Sequence, residues 1–280
     1  MNEQPERQLY WWKEAAIIGI FYAIYSAARN LFGSARVTTG GTAHAAFENA
    51  MRIIRVERGL GLYHEQTVQS WFLDYPHFIQ FWNTFYGTAH FIVTIAAFIL
   101  LFRLSPADFP HWRNALGFGT ALAIIGFSTF PLMPPRLLDD HGRYGGAAIA
   151  AEQGYDEFGF VDTLEEYGGP WSFDSGTMQK VSNQYAAMPS LHIGWSTWCA
   201  LVFWRLSRKR WVRVLAVLYP AATLFCIVVT GNHYWIDGVG GLVALGLGAL
   251  LGWRLNRWND QRLARSTTVE GDGHLTTAPQ

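Results

Sequence analysis

Six long apolar runs, separated by polar or glycine-rich stretches, set the pattern of this 280-residue chain. The first fits a span from Tyr10 to Phe32, with Trp11, Trp12 and Lys13 as interfacial anchors, and is long enough for the ~20 residues a bilayer needs. A second fits His77 to Phe102 and a third Trp112 to Met133, ended by Pro134-Pro135 because proline removes a backbone donor. Spans four to six fit Leu191–Leu206, Trp211–Thr230 and Trp235–Trp258. Between the first two, Phe47 to Trp71 sets Ile53, Ile54, Leu60, Leu62 and Val68 among charges, with breaks near Gly59 and Gly61. That pattern predicts one or two amphipathic helices on the membrane surface or over the bundle. The expected fold is all-α: a polytopic membrane bundle of about six transmembrane helices with an extracytoplasmic loop and helical cap. Its domain spans residues 10–258, with a core at 112–258, between a disordered start (1–9) and a disordered cytoplasmic tail (259–280).

Composition agrees. Charged residues are only 15% of the chain and hydrophobic ones 50%, against roughly 25% charged in a soluble domain. The net charge is zero, so no bulk field recruits nucleic acid. Cys199 and Cys226 fall inside apolar runs and read as buried thiols. Arg205, Arg208, Lys209, Arg210 and Arg213 crowd one loop; Arg254, Arg257, Arg262 and Arg265 follow span six, and Arg7 and Lys13 lie at the start. The positive-inside rule puts all of these in the cytoplasm and the other face outside, although Arg52, Arg55 and Arg58 run against it. A bacterial inner membrane is expected, with a Golgi-type membrane and a lumenal site as the alternative. Span six carries Gly240, Ala244, Gly248 and Gly252, a stripe that lets another helix approach closely.

The chemistry concentrates where polar stretches meet apolar runs on the outer side. Met188-Pro189-Ser190-Leu191-His192 precedes span four, and Gly231-Asn232-His233-Tyr234-Trp235-Ile236-Asp237 precedes span six. Ionisable groups at that boundary are costly to keep and mark function. Pro189 suits the first turn of a helix whose N-terminal N–H groups, with the Ser190 hydroxyl and the His192 imidazole, would meet an anion. His233 and Asp237 are four apart, so in a helix they share a face, and the carboxylate fixes the ring's tautomer and frees its other nitrogen. Arg136 offers bidentate recognition of phosphate. His90, inside span two, reads as a packing histidine. The acids between Arg136 and Tyr185 lack the spacing of a calcium loop and read as a solvated loop. No metal and no cofactor is expected.

This set resembles the type-2 phosphatidic acid phosphatase superfamily, and most closely its branch with inositol phosphorylceramide synthases. The shared motifs are Pro189-Ser190-Leu191-His192 and His233-Tyr234-x-x-Asp237, over about spans three to six. The resemblance implies that His233 is a nucleophile oriented by Asp237, that His192 is the general acid and base, and that Ser190 and Arg136 hold the phosphate. It implies a phospholipid or lipid-phosphate substrate, and a lipid hydroxyl as acceptor in a transferase. The family's lysine and arginine positions are here Thr129 and Ile227, its proline after the arginine is Leu137, and its glycine in the first motif is Leu191. A less cationic cage suits a phosphodiester, which favours head-group transfer over lipid phosphatase action. A histidine-box oxidase is disfavoured because the chain lacks clustered histidine boxes. A transporter is disfavoured because the chain lacks an internal repeat.

Overall fold

The computed structural model describes residues 9–31, 41–142, 144–168 and 183–273. Ten α-helices follow in order: α1 (Trp11–Leu31), α2 (Gly41–Leu60), α3 (Glu65–Ser70), α4 (Pro76–Leu104), α5 (Phe109–Thr129), α6 (Ala147–Glu152), α7 (Thr163–Glu166), α8 (Leu191–Leu206), α9 (Arg210–Val229) and α10 (Trp235–Gly273). Among the described residues there is no strand, only an isolated bridge between Leu132 and Ala186. The six predicted runs correspond to α1, α4, α5, α8, α9 and α10. Three of these helices are long and apolar enough to cross a membrane: Pro76–Leu104, Arg210–Val229 and the Trp235–Arg262 part of α10.

Two boundaries differ from expectation. Helix α5 stops at Thr129 rather than Met133, because Pro131 drives the residue before it out of the helical region; Phe130 has φ −133° and ψ 71°. Helix α10 continues to Gly273, past the Asn259 where a disordered tail was expected. Of the expected disordered start at 1–9, residues 1–8 lie outside the described residues.

In the bundle, α10 packs chiefly on α5, and α8 on α9 and α4. At Gly248 a side-chain carbon would come within 2.3 Å of the Gly119 backbone nitrogen, so the small-residue stripe is where α5 and α10 touch. Asn114 and Asn256 join the same two helices by a 2.8 Å hydrogen bond. Arg205 on α8 meets Asp108, just before α5, at 2.9 Å, which brings these two helix ends to one end of the bundle.

At the opposite end sits the cap. The Phe47–Trp71 pattern resolves into α2 and α3, and α2 buries Ala46, Phe47, Ala50 and Ile54. They form one cluster with Leu132, Met133 and Leu138 from the segment around Arg136, with Tyr185 just before the first histidine motif, and with Tyr234 in the second. The acidic segment is not solvated throughout. Asp139 accepts the backbone N–H groups of Phe158 and Phe160 at 2.8 Å each. Gln69 makes paired bonds to the Val161 backbone, at 3.1 and 2.9 Å. Buried backbone donors and acceptors need partners, and these side chains supply them. Residues 169–182, with Asp174, lie outside the described part.

Candidate active site

Three backbone segments come together at the junction of cap and bundle. The first follows α5, the second precedes α8, and the third is the turn between α9 and α10. Leu132 N–H donates to the Tyr185 carbonyl (2.8 Å), Arg136 N–H to that of Gly231 (2.8 Å), and Ser190 N–H to that of Asp237 (2.9 Å). These cross-links fix the relative positions of the predicted site residues.

The third segment is shaped by two helix-end motifs. Gly231 takes φ +65° after α9. Its N–H reaches the Val228 carbonyl and that of Asn232 reaches Ile227, both at 2.9 Å, a Schellman C-cap that turns the chain sharply. Helix α10 begins at Trp235, two residues after His233, so His233 stands before the helix and not on its face. The pairing with Asp237 forms all the same. Asp237 lies in the first turn, and its Oδ2 accepts from the Tyr234 N–H at 3.0 Å, as the acid of a capping box does. The same oxygen lies 3.2 Å from His233 Nδ1. A proton on Nδ1 donated to the carboxylate leaves Nε2 with its lone pair. Both residues are buried, Asp237 completely.

Nε2 of His233 faces the second segment, 3.5 Å from Ser190 Oγ. Ser190 is the N-cap of α8, but its hydroxyl makes no bond to its own helix. Pro189 therefore lies before the cap rather than in the first turn. His192 sits in that first turn, its ring centroid 5.7 Å from that of His233. Two residues of α4 line the other side of His192: Tyr86 stacks on it at 4.2 Å, and His90 meets it edge-on at 4.6 Å. Sequence reasoning treated His90 as packing and passed over Tyr86. Their i,i+4 spacing on an apolar helix was the signal available.

Arg136, in the first segment, is buried, and its guanidinium is already partnered. Nε donates to Asn232 Oδ1 at 3.0 Å, Nη1 pairs with Asp162, and Nη2 donates to Gln184. Among the described residues this engages three of its five N–H donors. Asp162 also caps α7 through the N–H groups of Leu164 and Glu165. Asn232, Asp162 and Gln184 are the supporting residues that sequence reasoning missed; two of them come from the long polar segment, where no periodicity marks them.

A family model described as the PAP2 superfamily matches residues 51–251, more than half of the chain. The chain belongs to the PAP2 superfamily. It is thus placed among phosphatases and phosphotransferases that act on lipid phosphates. No curated protein and no solved structure gives a significant match. For a PAP2 superfamily chain, the substituted positions are informative. Ile227 is fully buried and packs with Ile193 and Val228, and Leu137 belongs to the cap cluster. Thr129 turns its hydroxyl back on the Ile125 carbonyl at 2.9 Å. All three positions are thus taken up by packing or by the helix's own backbone.

Proposed function

We propose that the chain is an integral membrane phosphoryl-transfer enzyme that moves a phosphate-linked head group, inositol-phosphate-like in chemistry, from a phospholipid to a lipid hydroxyl. The observation that carries this reading is the His233 ring, held at Nδ1 by Asp237 with Nε2 turned toward Ser190 and the His192 ring. Nε2 attacks phosphorus, the bond to the leaving oxygen breaks, and His192 protonates that oxygen. His192 then takes the proton of the acceptor hydroxyl, which attacks phosphorus, and the P–N electron pair returns to Nε2. Two in-line steps lower a barrier that is among the highest for uncatalysed reactions. Arg136 and the N–H groups of the first α8 turn stabilise phosphate charge, and Ser190 adds a hydroxyl.

Two features support a lipid diester. The apolar fillings at 137 and 227 lower the positive charge around the phosphate. An apolar cavity of about 920 Å³ lies between α1, α4 and α5. Phe91 and Trp195 are among its lining residues, and their rings lie 3.9 and 6.0 Å from that of His90. A hydrocarbon chain there would run toward the histidines. The positive-inside reading puts the site on the extracytoplasmic face.

The test is purified protein with a panel of phosphorus-labelled phospholipids and lipid phosphates, with and without a lipid hydroxyl acceptor. A new labelled lipid is expected. Release of inorganic phosphate from a lipid phosphate would instead make it a phosphatase using water as acceptor. His233→Ala should abolish turnover and the label trapped on protein after alkaline denaturation. His192→Ala should cost the ~10²–10⁴-fold typical of a general acid. Full activity in His233→Ala would overturn the assignment.

A further inference from the structure

Two glutamates that the mechanism does not use stand behind its central histidine. Glu57 ends the buried face of α2, the chain turns at Gly61, and Glu65 opens α3; both side chains are fully buried. Glu57 Oε1 accepts the Ile236 N–H at 2.9 Å, and Glu65 Oε1 accepts the Trp235 N–H at 3.2 Å. These are consecutive donors in the first turn of α10, between Tyr234, which follows His233, and Asp237. The second oxygen of each glutamate, Oε2, is also buried and meets no protein donor among the described residues. An acceptor-only oxygen buried without a donor costs about 1–3 kcal/mol, more when charged. The two carboxyls bond consecutive amides and are within hydrogen-bonding reach of each other, so a single proton between them can satisfy both.

Charge counting leads the same way. A helix N-terminus carries roughly half a positive charge, yet three carboxyls converge on that of α10: Glu57, Glu65 and Asp237. The histidine at 233 answers Asp237. Among the described residues no ion pair answers either glutamate. We propose that Glu57 and Glu65 share one proton between their Oε2 atoms and, as a carboxyl–carboxylate pair, are positioning residues that lock the first turn of α10 and so hold Asp237 on His233. Burial, then the hydrogen bond and charge of Glu65, push the Glu57 carboxyl up from 4.5 to about 9, as expected for two acids confined to one site. The titratable groups facing the pair are Asp237 of α10, Tyr234 just before it, and Tyr63 in the turn between α2 and α3.

The functional meaning rests on the reading of His233 as the reacting residue; the shared proton does not. The experiment therefore uses two readouts on purified full-length protein that need no turnover. Infrared difference spectra at neutral pH should show a protonated-carboxyl band that titrates away near pH 9 and is lost in Glu57→Gln. In protein labelled with ¹⁵N-histidine, the hydrogen-bonded Nδ1–H resonance, assigned by its loss in His233→Ala, should persist in Glu57→Gln. That variant keeps an acceptor for Ile236 and a donor for Glu65. In wild type the resonance should weaken as the pair ionises, and in Glu57→Leu it should be lost. Absence of the carboxyl band, or a resonance indifferent to both alkaline pH and Glu57→Leu, would overturn the proposal. Should Glu57→Leu not fold, the pH series of wild type against Glu57→Gln decides alone. A retained shared proton in protein whose His233→Ala variant still turns over would sink the function and leave the pair standing.

Discussion

Cap and bundle each bury an apolar cluster but differ in what they add to it. Around the cap, charged and amide side chains go inside: Glu57, Glu65, Gln69 and Arg136 are buried, and each bonds a backbone group or a specific side chain. In the bundle, large apolar side chains stay outside, Ile92, Leu215 and Val243 among them, and a lipid-facing surface requires that. The bundle coheres by close contact of small residues, as membrane helices do when lipid is as apolar as they are. The cap coheres by directional bonds that define where each atom sits. His192 and His233 lie on the seam. One region therefore supplies a scaffold tolerant of sequence, and the other supplies geometry that depends on single atoms.

The comparison is broken most severely at Arg136. Its pair with Asp162 has both side chains about nine-tenths buried. Breaking such a pair from one side typically costs about 3–5 kcal/mol, because the remaining charge stays buried and alone. Asp162→Ala is expected to lower thermal stability in detergent by that amount, while Arg136→Met with Asp162→Leu recovers most of it. Stability regained without activity would show that the arginine serves both fold and phosphate. If Asp162→Ala is as stable as wild type, the cap does not depend on directional pairs.

How much of this was legible follows the same division. The long helices announce themselves through runs of apolar residues, and their order and extent were readable to within a few positions, except for the far end of α10, whose polar residues continue the helix to Gly273. That Ser190, His192, His233 and Asp237 gather in one place was also readable, because short spacings within two motifs carry it. Asp162, Gln184, Glu57 and Glu65 were not. They act at sequence separations of 26, 48, 179 and 170 residues, and a lone acid in a polar stretch looks the same whether solvated or buried. The break at Phe130 precedes Pro134-Pro135 because Pro131 acts first.

A middle-sized effect belongs to the bundle. Gly248→Ala puts a carbon against backbone atoms of Gly119 and Ala115, which cannot swing aside as a side chain would. Overpacking of this kind costs roughly 1–3 kcal/mol, and thermal unfolding should register it. The His233 Nδ1–H resonance should not move, since α5 and α10 touch far from the seam. A shift of that resonance would mean that bundle spacing also sets the site.

The smallest effect is the sharpest discriminator between the two regions. Leu215 on α9 is 56% exposed, and Ile54 in the cap is 2% exposed. Leu215→Ala should change stability by no more than about 0.5 kcal/mol, as substitutions away from packed features do. Its side chain leaves one apolar medium for another, so neither a cavity nor new contact with water results. Ile54→Ala empties volume beside Tyr234 and the cap cluster and should cost about 2–5 kcal/mol. The contrast is to be measured in detergent and again in bilayers. Equal losses for the two variants in a bilayer would mean that α9 turns that face to protein, and the assignment of the bundle surface to lipid would have to be withdrawn.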